Sequence, residues 1–102
     1  MSTTLVVSSS GSHPFRVPVV ILEGETPLDP TSFPISFAFP PEGSDDPADG
    51  EYTGGSWETV GNRYWGRGVI KDLTDGRYDL WVWVNGGASA SPRSKVGVVI
   101  VS

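Results

Sequence analysis

The sequence predicts an all-β domain built as a sandwich of two sheets, and three observations carry that expectation. Apolar and other residues alternate with period two from Tyr78 to Val84, the periodicity of a half-buried strand. No stretch combines apolar spacing near 3.6 with freedom from Gly and Pro, so no helix can be placed. Thirteen Gly and nine Pro divide 102 residues into short runs, as turn signals between strands should. The length suits one domain, residues 1–102, with a single core.

Taken in order, Thr3 to Ser8 is the first short strand, closed by the polar cluster Ser8-Ser9-Ser10-Gly11-Ser12. Phe15 to Leu22 is the second, with Phe15, Val17, Val19 and Ile21 expected inward. Pro18 lies on its other face and has no N–H to give, which places this strand at a sheet edge or at a bulge. Glu23-Gly24-Glu25-Thr26-Pro27 reads as a tight turn, and Asp29-Pro30-Thr31 as a corner. In the third strand, Phe33 to Phe39, the residues Phe33, Ile35, Phe37 and Phe39 share one face. Residues 40–55 then form an acidic loop rich in Pro and Gly, expected to be exposed because almost nothing in it offsets the entropy of ordering it.

Gly55 to Thr59 is a short strand, and Gly61-Asn62 turns the chain into Arg63 to Ile70. There Tyr64, Gly66, Gly68 and Ile70 share one face and Arg63, Trp65, Arg67 and Val69 the other. Two glycines in a strand signal a bend or a close backbone approach. Asp75-Gly76 is a turn signal ahead of the strand to Val84, whose core face is Tyr78, Leu80, Val82 and Val84. Arg77, Asp79, Trp81 and Trp83 face the other way. Asn85 to Pro92 is a small-residue loop, and Lys95 to Val101 closes the chain with Val96, Val98 and Ile100 on one face. About seven short antiparallel strands of this kind are the complement of an immunoglobulin-like β-sandwich. Leu73-x-Asp75-Gly76-x-Tyr78 fits a tyrosine corner, or equally a core Tyr after a turn.

Composition narrows the function. The net charge of −5, with seven scattered basic residues, argues against nucleic acid as a partner. No apolar run reaches the ~20 residues of a membrane helix, and the N-terminus has no signal-peptide pattern. Without cysteine, thiolate chemistry and disulfides are excluded. His13 stands alone, with neither the second His or Cys of a metal site nor the spacing of a nucleophilic triad. Asp45, Asp46, Asp49 and Glu51 offer oxygen ligands, but the alternation and glycine of a calcium loop are missing, and a solvated acidic loop accounts for them better. Gly54-Gly55 and Gly86-Gly87 lack the helix a phosphate loop requires. The chain is expected to be non-enzymatic, with no cofactor.

What remains is aromatic. Trp81 and Trp83 lie opposite the predicted core face, and Trp65, flanked by Arg63 and Arg67, is expected to join them from a neighbouring strand. Three readings stay open: a sheet face covered by a loop, a protein-contact surface in which Trp and Arg dominate, or a platform for carbohydrate. On the second reading Trp81, Trp83, Trp65 and Arg67 are the contact residues. Replacing both Trp81 and Trp83 by Ala should then spare the fold and abolish binding.

Several features also occur in a familiar order: Val17-Pro18-Val19, Asp29-Pro30-Thr31, Phe37-Ala38-Phe39, Gly55-Ser56-Trp57-Glu58-Thr59, Gly76-x-Tyr78 before Trp81-Val82-Trp83-Val84, and Arg93 before Gly97-x-Val99. Together they resemble a group of small proteins encoded among the virion structural genes of tailed phages that infect actinobacteria. The resemblance implies a structural role in the virion, made in the host cytoplasm, most naturally as a capsid decoration protein on the major capsid protein. A head–tail connector, a tail-associated module and a carbohydrate-binding or adhesion module are the alternatives, and self-association is compatible with each. The Pro18 strand and the last strand are the expected sheet edges, either of which could pair with a partner strand.

Overall fold

Every stretch of period-two alternation named above overlaps a strand in the computed structural model, which describes residues 3–23, 25–85 and 93–102. The strands are β1 (Thr3–Val7), β2 (His13–Val19), β3 (Ile21–Glu23), β4 (Thr26–Leu28), β5 (Ile35–Ala38), β6 (Thr53–Gly54), β7 (Ser56–Val60), β8 (Arg63–Ile70), β9 (Gly76–Val84) and β10 (Arg93–Val101). Among the described residues the only helical segments are two 3-10 turns, Pro30–Ser32 and Asp49–Glu51, so the all-β expectation holds. The loop expected from Asn85 to Pro92, the Gly24 of the first turn and the facing of Ile21 lie outside the described backbone or side chains.

Five strands form one sheet in the order β1-β10-β9-β5-β6, three form a second in the order β2-β8-β7, and β3-β4 is a separate ribbon. Among the described residues ten strands appear where about seven were expected, for local reasons. The predicted second strand divides at Val20, and its far end pairs with β4 across the predicted turn. β6 is a two-residue addition beyond β5. β2 is a sheet edge, as Pro18 requires.

Two expectations are corrected. The last strand is not an edge: β10 lies between β9 and β1, and the edge is β1, which runs parallel to β10 rather than antiparallel. The facing within β10 also changes along its length. A register shift between Lys95 and Gly97 inserts one extra residue, so Val96 and then Val99 and Val101 point to the core while Val98 and Ile100 do not share their side. A bulge is invisible to a rule of strict alternation.

The core lies between the two larger sheets. Phe15, Val17 and Ile70 face Ile35, Phe37, Leu80, Val82, Val84, Val99 and Val101. The glycines of β8 are the slot that lets the sheets approach. A Cβ on Gly68 would stand 2.8 Å from Phe15 Cζ and 2.9 Å from Phe37 Cδ2, and one on Gly66 would stand 2.5 Å from Ile35 Cδ1. Carbon atoms prefer about 3.5–4.0 Å, so the rings occupy the volume these residues leave. Phe15 and Phe37 meet edge to face at 5.0 Å between centroids.

Each end of the sandwich is pinned locally. Tyr78 Oη donates to the Thr74 carbonyl at 2.8 Å, the bond of a tyrosine corner, and Gly76 just before it has φ +154°. At the Asp29 corner, the carboxylate accepts from Thr31 N at 2.9 Å and Thr31 Oγ1 at 2.6 Å. Those bonds favour the charged form and hold Asp29 below its usual value of 3.8. Trp57, on β7, reaches across to donate its indole N–H to the Phe33 carbonyl at 2.8 Å.

Candidate functional site

The predicted contact residues divide between two opposite faces. Trp81 and Trp83 lie on the outer face of the five-stranded sheet, opposite the buried Leu80, Val82 and Val84, as their alternation requires. Pairing fixes their neighbours. Trp83 has Ser36 on one side and Arg93 on the other; Trp81 has Ala38 and Lys95. Small residues on β5 leave room for the rings. The Arg93 guanidinium sits 4.2 Å from the Trp83 ring centroid, a cross-strand cation–π contact.

The acidic loop closes over this face instead of standing away in solvent. Its first residues extend the β5–β9 ladder: Asp79 N donates to the Pro40 carbonyl at 2.9 Å, and Glu42 N to the Arg77 carbonyl at 3.1 Å. Gly43 N then donates to Asp79 Oδ2 at 3.0 Å, and the Asp79 carboxylate under the loop is only 2 % exposed. Further along, Tyr52 packs edge to face on Trp83 at 5.3 Å and its hydroxyl donates to Asp46 at 3.2 Å. Arg93 bonds Asp49, lies 3.8 Å from Asp46 and 4.2 Å from Trp83, and so ties loop to sheet. Pro47 of the loop and Ala38 of β5 are buried. Arg93 supplies the ordering contacts that the loop's own composition lacks.

Trp81 and Trp83 are consequently half-buried, and both indole nitrogens are sealed from solvent with no hydrogen-bond partner among the described residues. Of the three readings of these rings, a sheet face covered by a loop is the one this packing matches. Removing both rings would strip the support from the loop, so the expectation that the double alanine variant spares the fold is reversed.

Burial and the neighbouring Asp46 push the Tyr52 phenol up to about 12 from an ordinary value of 10. Below pH 10 the folded and unfolded chains both keep that proton. Between 10 and about 12 the unfolded chain releases it first, so the contribution of Tyr52 to stability falls as pH rises through that window. An absorbance titration should show a phenol ionising near pH 12 that is lost in Tyr52→Phe. A folded protein with no such late phenol would contradict the covered loop.

Trp65 and Arg67 belong to the other sheet. They project from the outer face of β8, away from the core side occupied by Gly66 and Gly68, and so cannot share a surface with Trp81 and Trp83. Arg16 on β2 lies with its guanidinium 4.5 Å from the Trp65 centroid. Its Nη1 donates to Glu58 Oε1 at 2.8 Å, and Arg67 Nη1 approaches the same carboxylate at 3.9 Å. Both arginine side chains remain about half exposed, at 53 % and 52 %. Among the described residues nothing folds over this face in the manner of the acidic loop.

His13 bonds the Ser10 carbonyl through Nε2 at 2.9 Å in its turn. Among the described residues no three His, Cys, Asp or Glu side chains converge as a metal-binding group; Asp46 and Asp49 are committed to Arg93. Sequence reasoning missed Arg16, Glu58, Tyr52 and Arg93 as members of these faces. The signal available was thin: Arg16 has the outward parity of Pro18, but its neighbours are strands more than forty residues away.

No family model matches this sequence, and neither a curated protein nor a solved structure matches it.

Proposed function

We propose that the protein is a non-enzymatic structural component of a tailed-phage virion: an immunoglobulin-like module that decorates the capsid by docking on the major capsid protein. The setting comes from the ordered motif set described above. The docking element is the outer face of the β2-β8-β7 sheet, and the observation that carries it is Trp65 with the Arg16 guanidinium over its ring, beside Glu58 and the half-exposed Arg67, on a face that no described loop covers. Trp and Arg are the residues that dominate interface hot spots, and a flat rigid sheet loses little entropy on docking. A repeating shell presents its site many times, so a modest contact per copy suffices where subunits cluster.

Neither Trp65 nor Arg67 belongs to the buried core, so Trp65→Ala with Arg67→Glu should melt close to the parent. Incorporation into particles, read by mass spectrometry of purified virions, should fall at least about tenfold, as loss of two hot-spot side chains implies. Immunogold label spread over the head would support decoration. Label confined to one vertex or the tail would replace it with a connector or tail role. Parent protein missing from the particles, or normal incorporation of the variant, would overturn the docking reading.

A further inference from the structure

Four of the seven basic residues are scattered in sequence and gathered in space. Arg63, Arg67 and Lys71 follow one another at outward positions along β8 and just beyond it, and Arg16 joins them from β2. Against these four cations, the three strands of the sheet contain a single carboxylate, Glu58. Arg16 and Arg67 share it; Arg63 and Lys71 have no ion pair among the described residues. A protein of net charge −5 therefore carries a cationic face.

The compensating acid lies on the opposite side of the sandwich. The loop over the five-stranded sheet holds Glu42, Asp45, Asp46, Asp49 and Glu51 and has no basic residue of its own. Two arginines of the underlying sheet answer them, Arg77 with Glu42 and Arg93 with Asp46 and Asp49. With Lys95 beside Trp81 and Asp79 under the loop also counted, six carboxylates against three cations leave a formal excess of three negative charges, and four cations against Glu58 leave an excess of three positive ones. The two surfaces are matched in magnitude and opposite in sign, on outer faces that point away from each other.

We propose that the basic face of one copy docks on the acidic loop of a second copy, so that the chain associates head to tail. Such a contact is heterologous, with each copy using two different surfaces, and it grows into a ring or an open row according to the rotation between copies. The pairs are exposed and individually weak, so association depends on several acting together and should be steeply salt-sensitive. A nucleic acid fits the observations less well. An extended polyanion would meet the acidic remainder of the molecule beyond the patch, and one side of the Trp65 ring is already taken by Arg16. The proposal rests on the reading of this face as a docking surface, though not on the virion as its setting; a second copy and the capsid protein compete for it.

Sedimentation velocity of the full chain at ~20 mM and ~0.5 M salt, up to ~1 mM protein, tests it, because the Debye length falls severalfold between those conditions. A sedimentation coefficient that rises with concentration at low salt and stays at the monomer value at high salt is expected. Arg67→Glu with Lys71→Glu should abolish the rise, and so should Asp45→Lys with Glu51→Lys, each with an unchanged melting temperature. Mixed together, the two variants should associate again, because the unaltered loop of one meets the unaltered basic face of the other and the two reversed surfaces are complementary in turn.

Wild-type protein that stays monomeric at low salt would overturn the proposal, as would association that survives both charge reversals. If the monomer's tryptophan fluorescence instead responds to a polyglutamate peptide or a thymidine oligonucleotide through Arg67 and Lys71, the face takes an acidic partner and self-association is excluded. A monomeric parent whose Trp65 variant is still lost from particles removes self-association alone. Salt-sensitive association together with normal incorporation of that variant removes the docking reading alone.

Discussion

Phe37→Ala should lower the stability of this domain by about 3–5 kcal/mol, the range for truncating a buried aromatic ring. Phe37 is 2 % exposed and meets Phe15 edge to face, while Gly68 in β8 and Gly55 between β6 and β7 would each touch it if they carried a side chain. The ring bridges the two sheets, so no single loop can relax to fill the gap it leaves. Domains of this size are stable by only about 5–15 kcal/mol, and each kcal/mol shifts the melting point of a 60–100-residue domain by about 4–8 °C. Urea and thermal unfolding would measure the loss directly. A cost below about 1 kcal/mol would mean that the sheets are not held together here.

Gly68→Val should be destabilising even though it installs a good strand former. Removing glycine from an extended backbone gains about 0.4–1 kcal/mol through the unfolded chain. The new Cβ, however, would lie under 3 Å from both the Phe15 and the Phe37 rings, and overpacking a well-filled core costs about 1–3 kcal/mol, occasionally more. The clash outweighs the propensity because both rings are confined from behind by their own sheets. A double-mutant cycle separates this from a generic backbone effect. Gly68→Ala combined with Phe37→Ala should cost less than the two single changes summed, by about 0.5–3 kcal/mol, since the methyl then enters the space the ring vacates. Strict additivity in urea titrations would show that Gly68 and Phe37 do not share that volume.

These two residues also show how the local and the distant divide in this chain. Alternation is a property of neighbours: a strand turns successive side chains to opposite faces wherever it is, so β8, β9 and their core sides were legible from residues 63–70 and 76–84 alone. The glycine pair signalled a close approach for the same local reason. Which ring would fill the slot depended on β5, thirty residues earlier, and on the sheet partnership that no local pattern encodes.

The functional faces divide in the same way. The outward parity of Trp65, Trp81 and Trp83 follows from their strands, but membership of a sheet does not, and the tryptophans separated when β8 joined β2 and β7 while β9 joined β5 and β10. The acidic loop is poor in apolar residues, and that composition correctly says it cannot order itself. It is ordered by Arg93, more than forty residues away, whose position opposite Trp83 is set by the β9–β10 register and whose charge answers Asp46 and Asp49. Composition and periodicity thus determine which segments are strands and which side of each is apolar, because those are short-range consequences of chain geometry. Only tertiary pairing decides which surfaces are covered and where charge accumulates, because cations far apart in the chain become neighbours once β2 is laid against β8.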